Sequence, residues 1–254
     1  MTLALDLTGK VALVSGGSSG IGAATVRALH QGGASVFFTY RTHEQRAREL
    51  AAQLGERVGF CQCDMSEHET LPLVIDRCVH QFGRLDILVN NAATYAENAF
   101  GHLDYASWRS GWQRTFDVNV FGAAHLTWLA MHQMRKQRTS GRIVNVASRA
   151  GHRGELEHPD YGASKAALIN FTKSIARACA VDGITALAVA PGWIETEMAA
   201  PDLQVRRREI EAEIPLGYIA QAEEVAQIIV FAASPLATYA SGATIDVNGA
   251  SYVR

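Results

Sequence analysis

Seven short apolar runs alternate with longer segments of helical periodicity along the whole chain of 254 residues. The runs are apolar or β-branched almost throughout, as expected for strands that are buried on both faces of a parallel sheet. Regular alternation of strand and helix is typical of βαβ units, which place helices on both faces of such a sheet. The predicted strands are 10–15, 35–40, 58–64, 85–90, 141–147, 184–190 and 244–247.

Helical periodicity fills the intervals between these strands. It predicts helices at 21–31, 44–54, 67–82, 108–138 in one or two pieces, 161–181 and 222–233. No linker, repeat or low-complexity segment interrupts the pattern, so residues 1–254 are predicted to form a single α/β domain with a doubly wound, seven-stranded parallel sheet. The polar stretch 195–215 breaks the rhythm, and we interpret it as a mobile helical flap over a site.

Composition and charge exclude several classes of protein. The 23 basic and 25 acidic residues nearly cancel, which leaves no broad positive field for nucleic acid or an anionic membrane. The four cysteines lack the spacing of a disulfide framework or a zinc site, so no metal is predicted, and the N-terminus lacks an export signal. Residues 226–245 carry no charge, but Ser234-Pro235 and Ser241-Gly242 break the stretch. We therefore predict a cytoplasmic protein without a membrane span.

A glycine-rich loop at 15–22, Ser-Gly-Gly-Ser-Ser-Gly-Ile-Gly, joins the first predicted strand to the first helix. Its glycines permit a tight turn that brings backbone N–H groups against a pyrophosphate, whose charge the helix N-terminus favours. The predicted contacts to such a dinucleotide are Gly16, Ser18, Ser19, Gly20, Ile21 and Gly22. The alternative is a plain tight turn. The same letters also fit the nucleophile elbow of α/β-hydrolases, but the last histidine of the chain is His158, so the downstream histidine of a triad is missing.

Tyr161 and Lys165 lie four residues apart at the start of a predicted helix, which puts the phenol and the ammonium on one face. A nearby ammonium stabilises a phenolate, so we expect it to lower the tyrosine pKa toward the neutral range. Ser148 follows a buried strand at its carboxyl end, where ligands bind in doubly wound sheets. Tyr-x-x-x-Lys alone is common and mostly structural, so the interpretation depends on the other motifs.

Three further motifs complete the pattern: Asn90-Asn91-Ala92 after the fourth strand, Asn119 within Asp117-Val118-Asn119-Val120, and Pro191-Gly192 after the sixth strand. In order and spacing the six motifs resemble the short-chain dehydrogenase/reductase family over essentially the whole chain. Ser15 stands where the family usually has threonine, and Ala93 where it commonly has glycine. The resemblance implies a Rossmann fold and an oxidoreductase that moves hydride between a nicotinamide cofactor and a carbonyl or secondary alcohol.

The resemblance also implies a role for each motif residue. Tyr161 would pass a proton to the carbonyl oxygen, Ser148 would polarise that oxygen, Lys165 would bind the nicotinamide ribose and lower the tyrosine pKa, and Asn119 would hold a water in the proton relay. The remaining implied cofactor contacts are Asp64, Met65, Asn91, Ala92, Pro191, Gly192, Ile194 and Thr196. Several have a structural alternative, since Asn91, Asp64 and Thr196 are all residue types that cap turns and helices.

The end of the second strand bears on the choice of cofactor. An NAD site needs an acidic side chain about 20 residues beyond the glycines, to bind the ribose 2′-hydroxyl and repel a 2′-phosphate. Tyr40 stands there, and Arg41 follows with a guanidinium suited to a phosphate. We predict NADPH over NADH. The alternative is a solvated arginine that pairs with Glu44.

The substrate is less constrained by the sequence. The resemblance points first to 3-oxoacyl thioester reductases, while a sugar, steroid or other ketone remains open, as does a dinucleotide-binding regulator without catalytic activity. Asp182 stands where reductases of carrier-bound acyl groups often have a basic residue, and Arg135, Lys136 and Arg138 are the remaining candidates for a basic docking patch.

Two further expectations concern surfaces. His152, Arg153, Glu155 and His158 lie between Ser148 and Tyr161, and we leave open whether they line the substrate pocket or are simply solvated. The predicted helices 108–138 and 161–181 are too apolar for one solvated face, and relatives pack these helices across two-fold axes. A homotetramer, or failing that a dimer, is therefore predicted.

Overall fold

A parallel sheet of seven strands forms the centre of the computed structural model, which describes residues 5–101 and 103–254. Residues 1–4 and 102 of the predicted domain lie outside the described residues. The strands are β1 (Val11–Val14), β2 (Ser35–Tyr40), β3 (Val58–Gln62), β4 (Ile87–Asn90), β5 (Gly141–Val146), β6 (Ile184–Pro191) and β7 (Thr244–Val247). Their order in the sheet is β3-β2-β1-β4-β5-β6-β7, and every neighbouring pair is parallel. The predicted doubly wound Rossmann fold is confirmed.

The helices connect successive strands. They are α1 (Gly20–Gln31), α2 (Glu44–Leu54), α3 (Leu71–Phe82), α4 (Tyr105–Phe116), α5 (Ala123–Gln137), α6 (Ala150–Arg153), α7 (Pro159–Cys179), α8 (Ala200–Ala212) and α9 (Ala222–Ala233). Shorter 3₁₀ turns occupy His68–Thr70, Ala180–Asp182 and Pro235–Ala240. No helix in the described ranges is both long enough and apolar enough to cross a membrane.

Successive residues of each buried strand face opposite sides of the sheet, which is why the strands are apolar throughout. In β1, Ala12 and Val14 pack into the core that includes side chains of α1, α2 and α9. Val11 and Leu13 pack into the second core, against side chains of α3, α5 and α7. The chain passes from β1 outward to β3 and then crosses to β4 on the other side of β1. This reversal leaves a crevice at the carboxyl ends of β1 and β4, which is where doubly wound sheets bind ligands.

Two predicted helices are interrupted. The segment predicted as one helix at 67–82 begins with the 3₁₀ turn His68–Thr70, and Pro72 lies in the first turn of α3, where a proline needs no amide hydrogen. The segment predicted at 108–138 starts earlier, at Tyr105, and is divided by a π-helical turn, Asp117–Gly122, between α4 and α5. Such turns inside helices are frequent at functional sites, and this one contains Asn119.

The stretch 195–215 is helical, as predicted, over Ala200–Ala212. Leu203 and Ile210 of this helix are buried in a small apolar cluster with Ile214 and Ile219, against which Trp193 packs. The helix is therefore fastened to the segment that follows β6. Its predicted mobility stays a prediction.

Candidate functional site

The crevice contains a cavity of about 330 Å³, large enough for a small-molecule ligand. Every residue predicted to contact the cofactor lines it, and so do Ser148, Tyr161 and Lys165. Of the predicted site residues, Asn119 alone is outside the lining. Six motifs that are spread between Ser15 and Gly192 in the sequence thus converge on one cavity, because they all follow the carboxyl ends of parallel strands or lie on the adjacent helices.

The glycine-rich loop forms one end of the cavity. Gly16 has a φ of +67°, which side-chain-bearing residues rarely adopt, and a Cβ atom at Gly22 would lie 2.1 Å from the carbonyl oxygen of Gly16. Asn91 holds the loop from the neighbouring strand, since its Nδ2 donates to the carbonyl oxygens of Ser15 and Gly16, each at 3.0 Å. The loop then leads into the N-terminus of α1 at Gly20, a suitable position for an anion.

Asp64 follows β3 in the sequence and belongs to a network of polar side chains. Its Oδ1 accepts from the Ser66 amide at 2.9 Å, and its Oδ2 accepts from Arg114 of α4 at 2.7 Å. Burial opposes ionisation, but these hydrogen bonds from Arg114 and Ser66 together lower the pKa of the Asp64 carboxyl. The turn-capping alternative is therefore present, and the same side chain also lines the cavity.

Arg41 is exposed at the edge of the cavity, directly after β2. The alternative of an Arg41–Glu44 pair is not what the described residues form, because the Glu44 carboxylate pairs with Arg48 of the same helix at 2.5 Å. The backbone oxygen of Arg41 accepts from Gln62 of β3, which fixes the position of the chain at this point. The guanidinium is thus placed at the edge of the cavity without an acidic partner among the described side chains.

Ser148, Tyr161 and Lys165 come together in the lining of the same cavity. Burial raises the pKa of the Tyr161 phenol to about 12, although a hydrogen bond with Ser148 acts in the opposite direction. Burial also lowers the pKa of Lys165 to about 7. The Lys165 ammonium donates to the carbonyl oxygen of Val146 at 2.7 Å and lies 5.4 Å from the centre of the Tyr161 ring. The expected lowering of the tyrosine pKa is not found, because burial outweighs the hydrogen bond with Ser148 in this structure.

Asn119 is buried behind the lining, in the π-helical turn. Its Oδ1 accepts from the Thr94 amide at 2.8 Å, and its Nδ2 donates to the Thr94 carbonyl at 3.1 Å and to Ser164 Oγ at 3.0 Å. The side chain therefore connects the segment after β4 to α7. Its role in holding a water stays a prediction.

Sequence reasoning missed several large side chains of the cavity, among them Tyr95, Arg149 and Trp193. Arg149 is only 3% exposed, and its guanidinium carbon lies 5.9 Å from the centre of the Trp193 ring. Each of the three comes within a few residues of a recognised motif: Asn91-Ala92, Ser148 and Pro191-Gly192. That proximity is the signal that could have found them.

Of the four residues between Ser148 and Tyr161 that could line the substrate pocket, one lines the cavity. Glu155 lines the cavity, whereas His152, Arg153 and His158 are outside the lining, as the structure describes them. His152 lies 3.7 Å from Asp246 Oδ1, and Arg153 approaches Glu155 at 3.5 Å. His158 is buried.

The candidate docking patch is partly neutralised. Arg135 near the end of α5 forms an ion pair with Asp182 at 2.8 Å. Asp182 therefore neutralises the charge of Arg135, which is one of the three basic residues of the candidate docking patch.

Comparison with known proteins places the chain among oxidoreductases. A family model described as enoyl-(acyl carrier protein) reductase matches residues 16–250. The chain is 36% identical over 249 residues to the 3-oxoacyl-(acyl-carrier-protein) reductase FabG of Vibrio cholerae, and the match covers 98% of this chain and 100% of that protein. It is 35% identical over 249 residues to FabG of Escherichia coli, with the same coverage of both chains. Among solved structures, a short-chain dehydrogenase/reductase (glucose/ribitol dehydrogenase) from Brucella melitensis superposes with a TM-score of 0.90 at 29% identity, covering 98% of this chain and 99% of that one. A short-chain type dehydrogenase/reductase from Mycobacterium marinum gives the same TM-score and identity, covering 99% and 98%.

Proposed function

Since the chain belongs to the short-chain dehydrogenase/reductase family and is an oxidoreductase acting on carbonyl and CH–OH groups, we propose that it is an NADPH-dependent carbonyl reductase whose first candidate substrates are 3-oxoacyl thioesters. The observation that carries this proposal is the meeting of Ser148, Tyr161 and Lys165 with the glycine-rich loop at one cavity. A cofactor on the loop and a carbonyl beside the phenol would then share one enclosed space.

The residues present fit a nicotinamide dinucleotide. The lack of a side chain at Gly22 and the positive φ of Gly16 shape a backbone cradle at the start of α1, which suits a pyrophosphate. Asp64, Met65, Asn91 and Ala92 would hold the adenosine half, and Pro191, Gly192, Ile194 and Thr196 would hold the nicotinamide half. When bound, the cofactor supplies the hydride.

Side chains of this protein would carry out the proton transfer. With its pKa raised to about 12, Tyr161 is protonated throughout the neutral range, which is the form that can donate a proton to a carbonyl oxygen. The Ser148 hydroxyl, beside that phenol, would donate a hydrogen bond to the same oxygen and favour the charge that develops there. Lys165 would hold the ribose next to Tyr161. Asn119 lies outside the cavity lining, where it would support the proton relay by hydrogen-bonding to Thr94 and Ser164.

The preference for NADPH is supported by Arg41. A guanidinium at the edge of the cavity can bind a 2′-phosphate with two parallel hydrogen bonds, and the neighbouring acidic residue, Glu44, is engaged by Arg48. Tyr40, which stands where an NAD site needs a carboxylate, is buried and offers no negative charge to repel the phosphate.

We propose an acyl thioester as the substrate because the named relatives are 3-oxoacyl-(acyl-carrier-protein) reductases. The pairing of Arg135 with Asp182 weakens the basic patch that an acidic carrier protein would need. Small thioesters are therefore proposed as competent substrates without the carrier.

One experiment tests the proposal. Purified protein is mixed with NADPH or NADH and with acetoacetyl thioesters of N-acetylcysteamine, of coenzyme A and of an acyl carrier protein, together with a sugar ketone and a steroid ketone, and cofactor oxidation is followed by absorbance. Turnover of the thioesters with NADPH supports the proposal. Tight cofactor binding without turnover of any carbonyl would instead identify a dinucleotide-binding regulator.

A further inference from the structure

Tyr95 is a second tyrosine in the cavity, beside the phenol of Tyr161, and the proposed chemistry does not use it. The centres of the two rings are 4.9 Å apart, and the ring planes are nearly perpendicular at 81°. This is an edge-to-face contact, the geometry that aromatic pairs prefer. Since the two rings touch, no substrate group can pass between them.

The ring of Tyr95 is held from its other side by His158. The two rings stack with centres 3.7 Å apart and planes 24° from parallel. His158 is itself buried, and its Nδ1 lies 2.8 Å from the carbonyl oxygen of Ala96. The imidazole is therefore fixed against the same segment that carries Tyr95, and the tyrosine ring has little freedom to turn away.

The backbone on either side of Tyr95 is also fastened. Asn119 binds both the amide and the carbonyl of Thr94, at 2.8 and 3.1 Å. The amide of Asn98 donates to the carbonyl oxygen of Glu157 at 2.8 Å, which ties the far end of the segment to the loop before α7. A side chain that is held by its backbone and by a stacked neighbour forms a rigid wall, because packed groups yield only at a cost.

The wall carries no charge of its own. Burial, followed by the nearby carboxylates of Asp202 and Glu155, raises the pKa of the Tyr95 phenol, so this hydroxyl stays neutral. A neutral ring in this place contributes shape rather than charge. The reacting carbonyl oxygen must lie within hydrogen-bond reach of Tyr161, so one substituent of the carbonyl carbon lies close to the ring that touches Tyr161.

We propose that Tyr95 is a specificity-determining residue, which limits the substituent on one side of the reactive carbonyl to a short group. The chain would then favour methyl ketones and acetoacetyl-type thioesters over compounds with long groups on both sides of the carbonyl. This inference rests on the proposed carbonyl reductase function and names the substrate class of that site.

The test compares two thioesters of N-acetylcysteamine, acetoacetyl and 3-oxooctanoyl, by their kcat/KM with NADPH. The wild-type protein is expected to favour the short one. Tyr95→Ala is expected to raise the ratio of long to short by about tenfold or more, the discrimination that a few methylene groups give in an apolar pocket. Tyr95→Phe is expected to keep the wild-type ratio, because the ring and not the hydroxyl forms the wall.

Two further variants distinguish a change in substrate selectivity from a general loss of activity. His158→Ala removes the stacked support from outside the cavity lining, and the ratio should shift in the same direction as for Tyr95→Ala but less. Tyr239→Ala removes a fully exposed tyrosine that is outside the lining, and it should leave the ratio and both rates unchanged. Tyr95→Leu serves in place of Tyr95→Ala if melting curves show that the latter does not fold.

The outcomes distinguish the two proposals. An active wild-type enzyme whose ratio is the same in the folded Tyr95→Ala or Tyr95→Leu variant overturns this inference alone. A wild-type preference for the longer thioester also overturns it. A wild-type protein that reduces no carbonyl with NADPH overturns the proposed function and the inference with it.

Discussion

The ammonium of Lys165 lies 5.4 Å from the centre of the Tyr161 ring and donates to the carbonyl oxygen of Val146, the last residue of β5, at 2.7 Å. The i, i+4 spacing places the two groups on one face of α7, as the sequence predicts. Burial shifts both pKa values against the charged form, to about 12 for Tyr161 and about 7 for Lys165. Such opposed shifts are typical of functional sites, where charged groups are desolvated for chemistry at a cost in stability.

The first prediction concerns that cost. The pKa of Lys165 is about 7 in the folded protein, whereas a lysine side chain in water has a pKa of 10.5, so between pH 7 and pH 10 the unfolded chain binds more protons than the native one. The stability of the wild type should therefore rise with pH over this range relative to Lys165→Met, by at most about 1.4 kcal/mol per pH unit. Below about pH 6, where Lys165 is protonated in both the native and the unfolded chain, the difference between the two proteins should become constant.

Urea unfolding of both proteins at pH 6, 7, 8, 9 and 10, without added cofactor, measures this difference. Tyr161 is present in both, so its own titration cancels. A difference in unfolding free energy that stays flat from pH 7 to pH 10 would show that the ammonium is not desolvated in the folded state.

The second prediction is that Tyr161→Phe abolishes turnover and leaves cofactor binding nearly intact. Loss of a positioned general acid is worth about 10²–10⁴ in rate. The ring is retained, so its contacts with Tyr95 and Lys165 should persist. Cofactor affinity is measured by fluorescence titration and turnover by NADPH oxidation, with the fully exposed Tyr239→Phe as the matched control. A variant that keeps more than about a tenth of the wild-type rate would exclude Tyr161 as the acid, given the loss expected.

The third prediction is a pH dependence that differs between the two directions of the reaction. Oxidation of an alcohol needs the phenolate of Tyr161 as the base, and with a pKa of about 12 the phenolate fraction grows with each pH unit through the neutral and mildly alkaline range. Hence kcat/KM for alcohol oxidation should rise from pH 7 to pH 10, while kcat/KM for ketone reduction should not. The measurement is a pair of pH profiles with 3-hydroxybutyryl and acetoacetyl thioesters. A plateau in the oxidation profile below pH 8 would place the pKa of the working base well under that of Tyr161 in this structure.

The fourth prediction concerns Arg41. Arg41→Ala should raise the KM for NADPH by about tenfold or more, since a hydrogen bond to a charged group is worth about 1.5–3 kcal/mol, and should barely change the KM for NADH. Arg208→Ala is the matched control, because it removes an exposed arginine of α8 that is outside the cavity lining and leaves the Arg48–Glu44 pair intact. Equal use of both cofactors by the unmutated protein would contradict the proposed preference and leave the fold and the proton chemistry untouched.

The sheet and most of the site could be predicted because both depend on local signals. Strands buried on two faces must be apolar throughout, and the motifs follow the strands directly, so the topology brings them together without further information. The sequence allows for two pieces in the segment 108–138, but it does not predict that a π-helical turn joins them. The Asn119 side chain in this turn bonds to Thr94 and Ser164, which are distant in the sequence.

The substrate wall could not be predicted for a related reason. Tyr95 is positioned by His158 and by the hydrogen bonds of the Asn119 side chain to the Thr94 backbone. His158 and Asn119 are 63 and 24 residues further along the chain than Tyr95. Nothing in the letters near Tyr95 indicates these partners. The sign of the Tyr161 shift also depends on burial, which is a property of the whole fold and not of the Tyr-x-x-x-Lys spacing.

The last prediction is self-association through an aromatic surface, the row formed by the exposed rings of Phe100 and Tyr105 and the partly buried ring of Trp108. Phe100 is 69% exposed and Tyr105 is 73% exposed, and each ring lies about 6 Å from that of Trp108 at the start of α4. Scattered apolar residues on a surface are normal, but a contiguous patch of large rings marks an interaction site. The expected assembly is a homotetramer, or failing that a dimer, with this row at an interface between copies.

Light scattering at micromolar concentration gives the mass of the wild type and of Tyr105→Asp, which places a charge next to Trp108 in the row. The substitution should lower the mass of the assembly, because a carboxylate cannot be buried between apolar rings without a partner. Tyr239→Asp, at a fully exposed tyrosine outside the row, should keep the wild-type mass. A monomeric wild type would refute the assembly itself, whereas an assembled Tyr105→Asp variant would move the interface to another face of the molecule.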